Sequence, residues 1–274
     1  MISVTYHEAS TPSREARSLV RMSDSTFSSP DTATFSEIRR LITQNPGQRV
    51  IVVTGASGGI GSQVAEDLAQ DSLVVAVGRN EKRLQEVVDR SRPDGVVPLV
   101  ADLNSTETTA EIFQQIPRVD ALINAAAIAS RFTLEDARPQ DWDQAFHTNV
   151  TAPAELTRAL LPQLRESRGT VVFLGSGASR SSNQYNVVYS ATKHALQAVA
   201  DGFRRQVAND GVRVATVAPG PTDTTMVHWD DDYPKSEPPK FIEPSTVARS
   251  IRHVVDAPED TQITEVWVRP RIEA

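Results

Sequence analysis

The sequence predicts a single doubly wound α/β domain, with a seven-stranded parallel sheet flanked by helices on both faces. Three observations predict it. Seven short apolar runs recur from Arg49 onward, and segments with helical periodicity separate them. The runs are continuously apolar, as strands buried on both faces are, instead of alternating. The first run passes through a glycine-rich turn into a helix, the entry unit of a doubly wound sheet.

The strands read in order are VIVVTG from Val50, LVVAVG from Leu73, VVPLVA from Val96, ALINAAA from Ala121, TVVFLGS from Thr170, RVATVAP from Arg213 and TEVWVRP from Thr264. Helical segments between them include SQVAEDLAQ, EKRLQEVVDR, ELTRALLPQLRES and YSATKHALQAVADGFRRQVAN. No repeat at solenoid spacing occurs. Residues 1–48 read as a separate, flexible N-terminal extension, and residues 49–274 as the α/β domain. MSDSTFSSPDTATFS is rich in Ser, Thr and Asp and poor in core-forming residues. Within the extension, Phe35–Ile42 has the pattern of a short amphipathic helix able to dock on the domain. Met22 is an alternative start. Arg14, Arg17 and Arg21 could mark a transit peptide, but Glu8 and Glu15 oppose that reading.

Composition removes several function classes. The chain has 274 residues and a formal net charge of −7, without an extended basic stretch, so nucleic acid is a poor partner. It has no cysteine, which excludes disulfides, thiolate metal sites and cysteine nucleophiles together. No apolar run reaches the length of a membrane span, and the N-terminus lacks a signal-peptide core. The expected location is the cytoplasm, with no membrane partner.

The turn after the first strand, TGASGGIG, carries Gly55, Gly59 and Gly61, with Ser57 and Ile60 between them. Glycines there let the backbone turn tightly and approach a pyrophosphate. The helix beginning beyond them would aim its free N–H groups at the phosphates. A plain glycine turn between strand and helix is the alternative. The spacing T-G-x-x-x-G-x-G differs from G-x-G-x-x-G and lacks the Gly-Lys-Ser/Thr ending of a triphosphate loop. It resembles the hallmark turn of the short-chain dehydrogenase/reductase family, in its classical branch, and the resemblance spans roughly residues 48–270. The resemblance implies a Rossmann-type fold, a nicotinamide coenzyme, and assembly as a homodimer or homotetramer.

The second strand ends AVGRNEKR, with Gly78 and Arg79 where an NAD-selective enzyme usually places an acid for the adenosine ribose. A guanidinium offers planar, charge-assisted hydrogen bonds to a 2′-phosphate, so Arg79 points to NADP(H). By resemblance, Asp102 and Leu103 flank the adenine. INAAA resembles the family's NNAG, with Asn124 matching and Ala125, Ala126 and Ala127 following it. APGPTDT resembles the family's PG motif, so Pro219, Gly220, Thr222 and Thr224 are expected around the nicotinamide carboxamide.

YSATK places Tyr189 and Lys193 four apart on one helix face. Ser176 follows the fifth strand, at the carboxyl edge where open α/β sheets bind ligands. Asn149, in FHTNV, lies inside an earlier helix. Together they match the family's Asn–Ser–Tyr–Lys set in order. The resemblance implies that Tyr189 is the acid/base, that Lys193 lowers its pKa and holds the nicotinamide ribose, and that Ser176 polarises the carbonyl oxygen. Asn149 would help position a proton-relaying water. The implied reaction is NADP(H)-dependent interconversion of a small carbonyl compound and an alcohol.

The five histidines are scattered without metal-ligand spacing, so no metal is expected. The acidic run HWDDDYPK from His228 reads as a solvated, substrate-covering loop, with Trp229, Tyr233 and the preceding Tyr185 as candidate substrate contacts. Two other readings are a catalytically silent dinucleotide-binding regulator and a sugar-nucleotide epimerase or dehydratase. The first usually lacks the Tyr or Lys. The second normally has a GxxGxxG turn and a larger C-terminal substrate domain.

Overall fold

The computed structural model describes residues 32–105, 112–129, 131–182, 184–226 and 241–271. Residues 1–31 of the proposed extension, and the acidic run with Trp229 and Tyr233, lie outside the described residues.

Helix α1 spans Thr32–Gln44 and leads into β1, Val50–Thr54. Then follow α2 (Gly59–Leu68), β2 (Leu73–Gly78), α3 (Glu81–Arg90), β3 (Val96–Val100) and β4 (Ala121–Asn124). The second half contains α4 (Pro139–Phe146), a wide π-type turn at His147–Thr151, α5 (Ala152–Glu166) and β5 (Thr170–Leu174). It closes with a 3₁₀ turn at Gly177–Ser179, α6 (Val187–Gln206), β6 (Arg213–Pro219), α7 (Pro244–Val255) and β7 (Glu265–Val268).

The seven strands form one sheet in the order β3-β2-β1-β4-β5-β6-β7, and every pairing is parallel. The order reverses between β1 and β4, which opens a crevice at their carboxyl ends. Period-two alternation divides the strand residues between two cores. Val50, Val52, Leu73, Val75, Leu122 and Phe173 face α1, α5 and α6. Ile51, Val53, Val74, Ile123 and Val172 face α2, α3 and α7. Both faces are therefore covered, which is why the strands read as unbroken apolar runs.

The amphipathic helix expected at Phe35–Ile42 is present as Thr32–Gln44 and packs on the domain; one other expectation changes. Phe35, Ile38 and Leu41 recur at i, i+3 and i+6, form one stripe, and are buried against β2 and β3 residues. Helix α2 begins at Gly59, so Gly59 and Gly61 sit inside its first turn instead of ahead of it. The segment around Asn149 is helical, as expected, but wound wide, with the Ala152 N–H reaching back to the His147 carbonyl.

Candidate active site

The carboxyl ends of the strands open into one cavity of about 690 Å³. Its floor is the glycine turn. Gly55 has φ +68°, and a Cβ there would stand 2.8 Å from the Ala126 Cα. At Gly61 a Cβ would lie 2.3 Å from the Gly55 carbonyl oxygen. The turn is thus closed against itself and against the chain following β4. The Thr54 hydroxyl adds a second tie, accepting hydrogen bonds from the Ala125 and Ala126 N–H groups at 3.1 Å. Ser57, Ile60 and Ala125 line the cavity alongside these residues.

At one end of the cavity lie Arg79, Asp102 and Leu103. Gly78 belongs here as well. A Cβ on it would approach the Ser57 Oγ at 3.0 Å, so an acidic side chain would crowd this turn. Sequence reading missed Arg83, one helical turn from Arg79, which also lines the cavity. The signal was present: Asn80 caps α3 by accepting from the Arg83 N–H, which places residues 79 and 83 on the same end of that helix. Asp102 accepts from the backbone and side-chain nitrogens of Asn104, at 3.0 and 2.9 Å.

The other end is built by the loops after β5 and β6 and by the start of α6. Tyr189, Lys193, Ser176, Pro219, Gly220, Thr222 and Thr224 all reach the cavity. Helix α6 begins two residues before Tyr189, so the Tyr–Lys pair occupies its first turns and one face. The Lys193 Nζ sits 5.6 Å from the Tyr189 ring centroid. It donates a 2.8 Å hydrogen bond to the Leu174 carbonyl, the last of β5. The Ser176 hydroxyl accepts from the Ala178 N–H at 3.1 Å, which fixes its position at the start of the 3₁₀ turn. Thr222 is anchored by a parallel bridge to Ile242.

Burial governs the ionisation of this pair. Lys193 is 2% exposed, and desolvation pulls its pKa down to about 8. Tyr189 was expected to have a lowered pKa. It is raised instead, because desolvation outweighs the hydrogen bond with Ser176 that acts in the opposite sense.

Two expected site residues are not on the cavity wall. Asn124 points to the opposite side of the sheet end, where its Nδ2 donates to the Thr157 Oγ1 of α5 at 3.2 Å. Alternation along β4 dictates this: Asn124 shares its face with Leu122, and that face packs under α5. Its Oδ1 is buried without a partner among the described residues. Asn149 is 1% exposed and clasps the backbone of Ile128. Its Oδ1 accepts from the Ile128 N–H and its Nδ2 donates to the Ile128 carbonyl, both at 2.8 Å. The second Nδ2 hydrogen goes to the Thr192 Oγ1 at 3.0 Å. The amide therefore ties the chain after β4 to the residue preceding Lys193, and has no donor left for a water.

The cavity fits an extended nucleotide: a backbone turn that excludes a Cβ at Gly55 and Gly61, the N-terminus of α2 beside it, and arginines at one end. Comparison with known proteins agrees. The family model described as short chain dehydrogenase matches residues 49–233. An uncharacterized oxidoreductase of Staphylococcus epidermidis is 29% identical over 228 residues, covering 81% of this chain and 97% of that protein. The crystal structure of a dehydrogenase/reductase from Sinorhizobium meliloti superposes with a TM-score of 0.74 at 26% identity, over 80% of this chain and 93% of that one. An alcohol dehydrogenase from the archaeon Thermococcus sibiricus, solved with 5-hydroxy-NADP, shares the fold with a TM-score of 0.73 at 23% identity, over 83% and 98% of the two chains. Members of this group are oxidoreductases that act on small molecules with a nicotinamide coenzyme. The chain belongs to the short-chain dehydrogenase/reductase family.

Proposed function

We propose that the protein is an NADP(H)-dependent oxidoreductase that interconverts a ketone or aldehyde and the corresponding alcohol. The convergence of Tyr189, Lys193 and Ser176 on one end of a cavity whose other end carries Arg79 carries this reading.

The glycine turn and the α2 N-terminus would hold the pyrophosphate, and Arg79 with Arg83 would bind the 2′-phosphate. Asp102 and Leu103 would flank the adenine, and Thr222 and Thr224 the carboxamide. When bound, the reduced nicotinamide supplies the hydride for the carbonyl carbon. Tyr189 donates its phenolic proton to the carbonyl oxygen, and the raised pKa keeps that proton in place through neutral pH. Ser176 orients the same oxygen with its hydroxyl. Lys193, whose ammonium lies 5.6 Å from the Tyr189 ring centroid, would stabilise the phenolate left behind until solvent returns the proton to it. Asn149 is a positioning residue, acting through Ile128 and Thr192. In the reverse direction Tyr189 is the base.

Fluorescence titration with NADPH and NADH tests the coenzyme assignment. Tighter NADPH binding is expected; equal affinity would remove the arginines from it. A folded protein that binds neither coenzyme would contradict the oxidoreductase reading; one that binds NADPH but turns over no carbonyl compound would favour the silent-regulator reading. We also propose that the protein works in the cytoplasm as a homodimer or homotetramer.

A further inference from the structure

The loop after β3 and the wide turn at His147–Thr151 are joined at Asn104. Its backbone N–H and its Nδ2 both donate to Asp102 Oδ1, at 3.0 and 2.9 Å. Its Oδ1 accepts from the Thr148 hydroxyl, and its backbone carbonyl meets His147 Nε2, each at 2.9 Å. A carbonyl can only accept, so Nε2 carries the hydrogen of that bond. The amide orientation follows in the same way: the carboxylate takes the Nδ2 donor, and Oδ1 is left to the hydroxyl.

The next residue of the turn continues the connection. Asn149 binds the N–H and the carbonyl of Ile128, and its remaining amide hydrogen reaches the Thr192 Oγ1. The Thr192 hydroxyl in turn donates to the Tyr189 carbonyl at 2.7 Å. Three consecutive side chains, His147 to Asn149, therefore grip the loop after β3, the chain after β4 and helix α6. A single helical turn widened in this way is a feature that recurs at functional sites.

The grip spans the cavity. Asn104 lines the cavity beside Asp102, and Tyr189 and Lys193 line its other end. A ligand with two anchored halves gains from both only when the distance between the subsites matches its own span. Slack between the loop after β3 and α6 would therefore cost the joined ligand more than either half.

We propose that Asn104 is a positioning residue for the coenzyme. Through Thr148 it fastens the loop after β3 to the turn that holds α6, and so sets the span between the adenosine end and the Tyr189–Lys193 end. This deepens the coenzyme reading and rests on it.

The test titrates the full-length protein with NADPH and, separately, with adenosine 2′,5′-bisphosphate, which carries the adenosine half alone. Asn104→Ala should weaken NADPH about tenfold and the bisphosphate less than about twofold. Thr148→Val removes the hydroxyl with little change of volume and should weaken NADPH roughly threefold. Thr148→Ser should restore wild-type affinity. The double variant Asn104→Ala/Thr148→Val should lose no more than Asn104→Ala alone, because the two side chains act through one bond. Equal weakening of NADPH and the bisphosphate would overturn the proposal, since Asn104 would then only shape or touch the adenosine subsite. Unchanged NADPH affinity in Asn104→Ala, or additive losses in the double variant, would overturn it as well. Those results arise in variants of a protein that binds NADPH. Wild-type protein that binds neither probe contradicts the coenzyme reading and takes this proposal with it.

Discussion

Lys193 donates its 2.8 Å hydrogen bond to the carbonyl of Leu174, so the ammonium is held at the carboxyl end of β5 by a neutral acceptor. No carboxylate contributes to its pKa, and burial alone pulls it to about 8 from an ordinary value of 10.5. The protein is therefore strained by protonating its own site lysine.

The sign of the pH effect follows. Between about 8 and 10.5 the unfolded chain binds more protons at this position than the folded one, so this contribution to stability rises with pH. It is fully present above 10.5 and lost as pH falls through 8. A depression of that size corresponds to ~3 kcal/mol. Lys193→Met should therefore gain most relative to wild type near pH 7, with the gain shrinking steadily toward pH 10. Chemical denaturation at several pH values checks it; a gain independent of pH would contradict the buried-charge account.

Gly61→Ala should break the floor of the cavity. Its Cβ would stand 2.3 Å from the Gly55 carbonyl, a backbone atom held in turn by the ties around β1. Coenzyme binding should weaken more than 100-fold, and stability should fall by ~1–3 kcal/mol. Titration and thermal unfolding on the same sample measure both.

Arg79→Asp should place a carboxylate where the 2′-phosphate is expected and shift preference from NADPH toward NADH. Arg83→Gln should weaken NADPH about tenfold while leaving NADH nearly unchanged, as loss of one charge-assisted hydrogen bond does. Dissociation constants for both coenzymes decide it.

Ile38→Ala should show that α1 belongs to the folded unit. Ile38 is fully buried between Phe35 and Leu41, so its truncation should cost about 2–5 kcal/mol and lower Tm by roughly 5–15 °C. A solvated extension would give no measurable change.

Parallel pairing and the cavity's location were legible because each follows from short-range pattern. Continuous apolar runs mean strands covered twice, and Gly55 and Gly61 mark where backbone meets backbone. Side-chain direction was harder. Asn124 matches a family motif by position, yet strand alternation turns it toward Thr157, away from the cavity. Asn149 likewise matches by position but spends its whole amide on Ile128 and Thr192. The Tyr189 pKa was misjudged because a helix-face argument brings Lys193 near without showing how deeply both are desolvated.

The most direct test of Tyr189 as the acid/base follows deuterium from NADPH labelled at the transferable position of the nicotinamide into a carbonyl substrate. Wild-type protein should deliver one deuterium to the carbonyl carbon of the product alcohol, detected by mass spectrometry. Tyr189→Phe should bind the coenzyme as wild type does and form labelled product at least 1000-fold more slowly. A Phe variant that transfers deuterium at the wild-type rate would contradict the account.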